Sequence, residues 1–232
     1  MNKYIVQHLG LGDHIITNGL IRSIIDDDPS NQYYLFVLNR YMESVKFMFR
    51  DIPNITMIGI NHWEDRYRYL NDNRIPTENI IDVKYDQSSG IDFDRYFYES
   101  MGYPFEYRWS RFKCERDMER ELDLFKRYKV EPGQYIFMHD DPSRSFEIMR
   151  NYIVNKDLPI IVPIEGLTEN IFDYCYLMQH SAESHFIDSC FRLVFDSFKL
   201  RNDNIYYHFT LKNGFIKDTT TKSGSFLQFS VI

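Results

Sequence analysis

The stretch Tyr4-Ile5-Val6-Gln7-His8-Leu9-Gly10-Leu11-Gly12-Asp13-His14-Ile15 decides the reading of this chain. It predicts a short buried strand over Tyr4 to His8, a glycine turn, and a helix from Asp13 to Ile25, with Ile15, Ile16, Leu20 and Ile24 at helical spacing. Glycines let a backbone turn tightly and let a ligand approach it. The helix start behind them favours negative charge. Asp13 places a carboxylate where a bound phosphate would otherwise sit. That suits a site that needs a general base and holds its phosphate elsewhere.

Outward from this stretch, strands and helices alternate. Strands are expected at Tyr33 to Leu38, Ile55 to Ile60 and Asn79 to Val83, with helices at Arg40 to Phe49 and His62 to Leu70. Residues 91 to 129 read as mostly helical, and Glu131-Pro132-Gly133 is a break. Strands then return at Tyr135 to Met138, Ile160 to Ile164, His185 to Ile187 and Ile205 to Phe209. Helices are expected at Ile171 to Met178 and Ser189 to Phe198. The pattern predicts an α/β protein with parallel sheets, in two halves, 1–129 and 130–232, facing a cleft. The loops expected at the cleft are Leu9 to His14, Asn39-Arg40, His139 to Arg144, Glu165-Gly166 and Asp188-Ser189.

Composition narrows the function classes. A hydrophobic content of 44% over 232 residues supports a sizeable core, and aromatics reach 17% with 18 Tyr and 19 Phe. A net charge of -7 argues against a nonspecific nucleic-acid binder. No apolar run reaches the roughly 18 residues of a membrane span, and the start lacks a signal-peptide pattern. Three scattered cysteines without metal spacing read as reduced thiols of a cytoplasmic protein. The seven His show no metal-ligand spacing, and no metal is expected. A dinucleotide fingerprint would need a third glycine, where Ile15 stands, and an acid closing the second strand, where Asn39-Arg40 stands. A Rossmann-type oxidoreductase is therefore disfavoured. Asp92-Phe93-Asp94 reads as a helix cap rather than a metal motif, and Gly-x-Ser-x-Gly does not occur.

Gly12-Asp13-His14-Ile15-Ile16, directly after the first strand, resembles the first loop of GT-B-type glycosyltransferases of the heptosyltransferase-like family. Glu183 to Phe195, a strand running through Asp188-Ser189 into a helix, is similar to the donor-binding segment of such enzymes. His139-Asp140-Asp141-Pro142-Ser143-Arg144 matches by position a loop that often carries their basic donor-phosphate residue. The resemblance covers about 30 residues. It implies two Rossmann-like units, an acceptor-side N-terminal half, a donor-side C-terminal half, a nucleotide-sugar donor, a glycan or other hydroxyl acceptor, inversion at the sugar carbon and no cofactor or required metal.

Asp13 is then the expected base, with His14 the second choice because its ordinary pKa lies nearer neutrality. The donor-side set is Gly12, His139, Asp140, Ser143, Arg144, Glu165, Asp188 and Ser189, with Arg144 as phosphate clamp and Glu165 as a nucleoside contact. The competing reading is helix capping, by Asp13 at the first helix and by Asp188 or Ser189 at the second, without any ligand. A noncatalytic sugar- or nucleotide-binding protein on the same scaffold is the alternative.

Overall fold

The computed structural model describes residues 1–141, 146–210 and 216–217. The chain divides into two compact units, Met1–Glu115 and Arg116–Ile232. The boundary falls earlier than the 129/130 expected from sequence. The cause is the helix Met118–Tyr128, which carries an amphipathic stripe and ion pairs that belong to the second unit. Arg116 binds Glu121 and Gln179, Arg120 pairs with Asp173, and Leu124 is buried.

In the first unit, β1 (Asn2–Val6), β2 (Gln32–Leu38), β3 (Ile55–Ile60) and β4 (Ile80–Asp82) form a parallel sheet in the order β3-β2-β1-β4. The β1–β2 register pairs Tyr4 with Tyr34, whose rings stack at 4.9 Å. Ile5, Leu35, Phe36 and Val37 are fully buried, as near-continuous apolar parallel strands require.

The helix expected over Asp13 to Ile25 is two helices, α1 (Leu11–Ile16) and α2 (Asn18–Asp27). Thr17 breaks them, with φ -86° and ψ 3°. Its hydroxyl donates to Asp13 O at 2.8 Å and to Gln7 Oε1 at 2.7 Å. A β-branched hydroxyl residue bonding back into the preceding turn bends a helix in this way.

Further along come α3 (Met42–Met48), α4 (Asp65–Asp72), α5 (Phe93–Glu99) and α6 (Tyr107–Ser110). The α2–α6 approach needs Gly19, because a Cβ there would lie 2.1 Å from Tyr107 O. Buried Arg22 ties the end of this unit down. It pairs with Asp51 and donates to the carbonyls of Met48 and Lys113.

The second unit opens with α7 (Met118–Tyr128). Its sheet contains β5 (Ile136–His139), β6 (Ile160–Ile161), β7 (Glu183–Ile187), β8 (Ile205–Thr210) and β9 (Ile216–Lys217), in the order β6-β5-β7-β8-β9. The first four are parallel, and β9 runs antiparallel to β8. The helices α8 (Cys175–Gln179) and α9 (Cys190–Ser197) complete it.

β6 stops at Ile161, short of the expected Ile164. Beyond it the Tyr128 phenol takes the place of a neighbouring strand, donating to Val162 O at 2.8 Å and accepting from Ile164 N at 3.2 Å. Among the described residues no helix is long and apolar enough to cross a membrane. No disulfide joins Cys114, Cys175 and Cys190.

Candidate functional site

Open parallel sheets bind ligands outside the carboxyl ends of the strands, where the strand order reverses. In the first sheet that point lies between β1 and β4. The residues after β1 are Gln7 to Gly10, and α1 begins immediately behind them.

Asp13 sits in the first turn of α1 with its side chain half-buried. Its Oδ2 accepts the Gly10 N–H at 3.1 Å, which leaves Oδ1 without a partner among the described residues. Gly10 has an ordinary φ of -66°. Glycine is needed there for room rather than for a left-handed turn, because a Cβ would lie 2.8 Å from the Asp13 carboxylate. Burial pushes the Asp13 carboxyl above its ordinary pKa, and the neighbouring His8 and the Gly10 N–H partly offset this. A carboxylate with one free oxygen and a raised pKa is suited to accept a proton near neutrality. Gly12 lies within α1 and is half-buried.

His14 does not fit the role of second base. It is fully buried, its Nδ1 accepts from Gln7 Nε2 at 2.6 Å, and burial lowers its pKa to about 3. A neutral ring sealed in the core cannot take a proton from a bound hydroxyl. Gln7 bridges His14 to Thr17, and its carbonyl is held by the Arg66 guanidinium. This buried bracket fixes the α1–α2 corner that carries Asp13.

Sequence reasoning missed Gln7 and Thr17 as a bracket and His8 as a neighbour of Asp13. The only signal was a set of polar residues, Gln7, His14 and Thr17, in an otherwise apolar strand and helix.

In the second sheet the order reverses between β5 and β7. The pairing of His139 with Phe186 brings the His139 and Asp188-Ser189 loops side by side. His139 packs its ring 4.3 Å from Phe191, the second residue of α9. Asp140 Oδ2 accepts from Ile148 N at 3.2 Å, and the backbones of Asp141 and Phe146 bond to each other in both directions. Ser143 and Arg144 lie outside the described residues.

Ser189 occupies the N-cap position of α9 with extended φ and ψ of -149° and 168°, yet its side chain makes no capping bond. Its Oγ is buried and has no hydrogen-bond partner among the described residues. Capping therefore does not account for this hydroxyl. Asp188 turns outward to Arg192 at 2.6 Å and does not cap either. Glu165 is exposed on a turn with Gly166 at φ 81°, after β6, away from the β5–β7 reversal.

Asp92 stands at the N-cap position of α5 but makes no side-chain capping bond, and Asp94 is bound by Arg108. Among the described residues no group of three His, Cys, Asp or Glu side chains is placed to hold a metal ion.

Compared by sequence, the chain matches no family model and no curated protein. Compared by structure, it is similar to a glycosyl transferase family 9 protein from Veillonella parvula DSM 2008. The TM-score is 0.54 at 10% identity, covering 90% of this chain and 81% of that one. The two chains share a fold. The likeness is one of architecture: two α/β units with parallel sheets and flanking helices. Heptosyltransferase WaaC of E. coli with ADP also matches, at TM-score 0.45 and 10% identity over 92% of each chain. The same enzyme with ADP-2-deoxy-2-fluoro heptose matches at TM-score 0.41 and 9% identity over 89% of each chain.

Proposed function

We propose that the chain is a glycosyltransferase that moves a sugar from a nucleotide-sugar donor to a hydroxyl acceptor, with inversion and without a metal. The observation that carries this reading is Asp13, a carboxylate with a raised pKa and a free oxygen at the strand-order reversal of the first sheet. The shared fold supports it.

In this mechanism the first unit, through Asp13, serves the acceptor. Asp13 takes the hydroxyl proton as the acceptor oxygen bonds to the anomeric carbon. The carbon–oxygen bond to the diphosphate breaks on the opposite side, and the nucleoside diphosphate leaves with the electron pair. The second unit serves the donor. The Ser189 hydroxyl, without a partner among the described residues, and the positive end of the α9 dipole supply a hydrogen bond and positive potential for the departing diphosphate, and Arg144 is the proposed clamp. His139 and Asp140 flank that loop, and Glu165 remains the proposed nucleoside contact.

The test is direct. UDP, GDP, ADP, CMP and dTDP are screened for the one that raises the melting temperature, because a ligand of the native state stabilises it. The matching nucleotide-sugar is then incubated with sugar acceptors in EDTA. Release of free nucleoside diphosphate and transfer of the sugar are expected. Tight nucleotide-sugar binding with neither hydrolysis nor transfer identifies a binding protein instead. Activity abolished by EDTA and restored by manganese overturns the metal-free mechanism.

A further inference from the structure

Rings gather beyond the carboxyl ends of β1 and β4. His8, leaving β1, is exposed. It meets Phe93 edge-on at 5.2 Å and Phe97 at 5.6 Å. Tyr85, just beyond β4, meets Phe93 at 4.7 Å with the ring planes at 75°, and Tyr96 at 5.7 Å. Phe97 is fully buried and belongs to the core. Phe93 and Tyr85 are only half-buried. Core packing thus accounts for Phe97 and leaves ring surface of the other residues open at the point where this sheet order places a ligand.

The chain around these rings is rich in carboxylates: Asp86 follows Tyr85, and Asp92 and Asp94 flank Phe93, with Asp94 paired to Arg108. Asp13 lies close enough to His8 for the imidazole to influence its titration. Lys84 is already paired with Asp82 at 3.1 Å. Open aromatic faces beside carboxylates match an uncharged polyhydroxylated ring. Its C–H face lies on the aromatics and its hydroxyl edge reaches the carboxylate. An anionic sugar meets repulsion from Asp13.

We infer that His8, Tyr85 and Phe93 form a platform that seats a neutral pyranose of the acceptor against Asp13. The inference rests on the glycosyltransferase reading and specifies its acceptor class. The platform residues set acceptor affinity, while donor binding stays with the second unit.

The test uses methyl glucopyranoside, methyl galactopyranoside, methyl mannopyranoside and methyl glucuronide as probes. Saturation-transfer NMR is recorded with and without ADP, UDP or GDP. Contacts to ring C–H protons of at least one neutral pyranoside are expected, with weaker contacts for the glucuronide. Tyr85→Ala should weaken that binding about tenfold, and Tyr85→Phe should restore it. His8→Ala and Phe93→Leu should weaken it too. Each variant should keep the nucleoside diphosphate melting shift of the parent, which also shows that it is folded. Equal sugar binding by Tyr85→Ala and the parent overturns the platform, as does a preference for the glucuronide or no binding of any neutral pyranoside. Absence of any nucleoside diphosphate shift in the parent removes the glycosyltransferase reading, and the sugar arm still decides the platform.

Discussion

A single carboxylate at a helix start can be a cap or a base, and the two oxygens of Asp13 separate the structural contact from the proposed catalytic one. Oδ2 holds the Gly10 N–H, and Oδ1 stays open. Asp13→Asn keeps an oxygen for Gly10, so stability should hold within about 1 kcal/mol. Turnover should fall about 100-fold or more, with nucleoside diphosphate affinity unchanged. Normal transfer by the variant would remove Asp13 from the chemistry. The reactive form is the ionised one, so kcat/KM should rise with pH through an inflection above the usual carboxylate range. Ser189 allows a comparable separation. A capping serine replaced by alanine costs about 1 kcal/mol, but Ser189 makes no capping bond. Ser189→Ala should leave the urea midpoint in place and weaken nucleoside diphosphate binding; the reverse pattern would return Ser189 to a structural role. At this scale the helix starts near Asp13 and Ser189 were legible because helix starts advertise themselves in sequence. The burial of His14 was not legible, because it depends on Gln7 reaching across from β1.

Elements were read well where periodicity alone sets them and poorly where one long-range bond intervenes. The strands β2 and β3 lie where alternation and apolar content place them. The α1–α2 break and the early end of β6 follow from Thr17 and the Tyr128 phenol. Those partners are distant in the chain or hidden within an otherwise helical pattern. Gly19 is a further case. In a helix interior, Gly→Ala ordinarily stabilises by about 1 kcal/mol. Here the added Cβ would lie 2.1 Å from the backbone oxygen of Tyr107, so α2 and α6 must separate. Gly19→Ala should therefore destabilise the protein, by ~1–3 kcal/mol in chemical denaturation. A stabilised variant would mean that the α2–α6 contact yields without cost.

On the scale of the whole molecule, alternation of strands and helices was enough to foresee two parallel α/β units. The strand orders were not legible, since they depend on which neighbours pair. Nor was the polar chain buried in the second sheet. Register places Glu183 and His185 on one face of β7, beside His208 of β8. Glu183 accepts from the backbones of Val154 and Asn155 and from His185 Nε2. His185 Nδ1 then accepts from His208 Nε2 at 3.0 Å. Burial, and next the neighbouring His185, lower the His208 pKa from the ordinary 6.5 to about 4. Burial also lowers His185, against the pull of Glu183. Glu183 is raised by burial but is held below its ordinary value by its donors. As pH falls below about 6.5 the unfolded chain binds protons that the folded imidazoles refuse, so stability declines. Below about 4.5 the unfolded carboxylate protonates while folded Glu183 stays ionised, and the decline continues. Buried His14, near 3, adds the same trend in the first unit. His208→Gln places an amide N–H where Nε2 donates and removes one titrating group. The variant should lose less stability than the parent between pH 7 and pH 4, measured by urea denaturation at each pH. Equal losses in the two proteins would show that His208 is not held neutral by the fold.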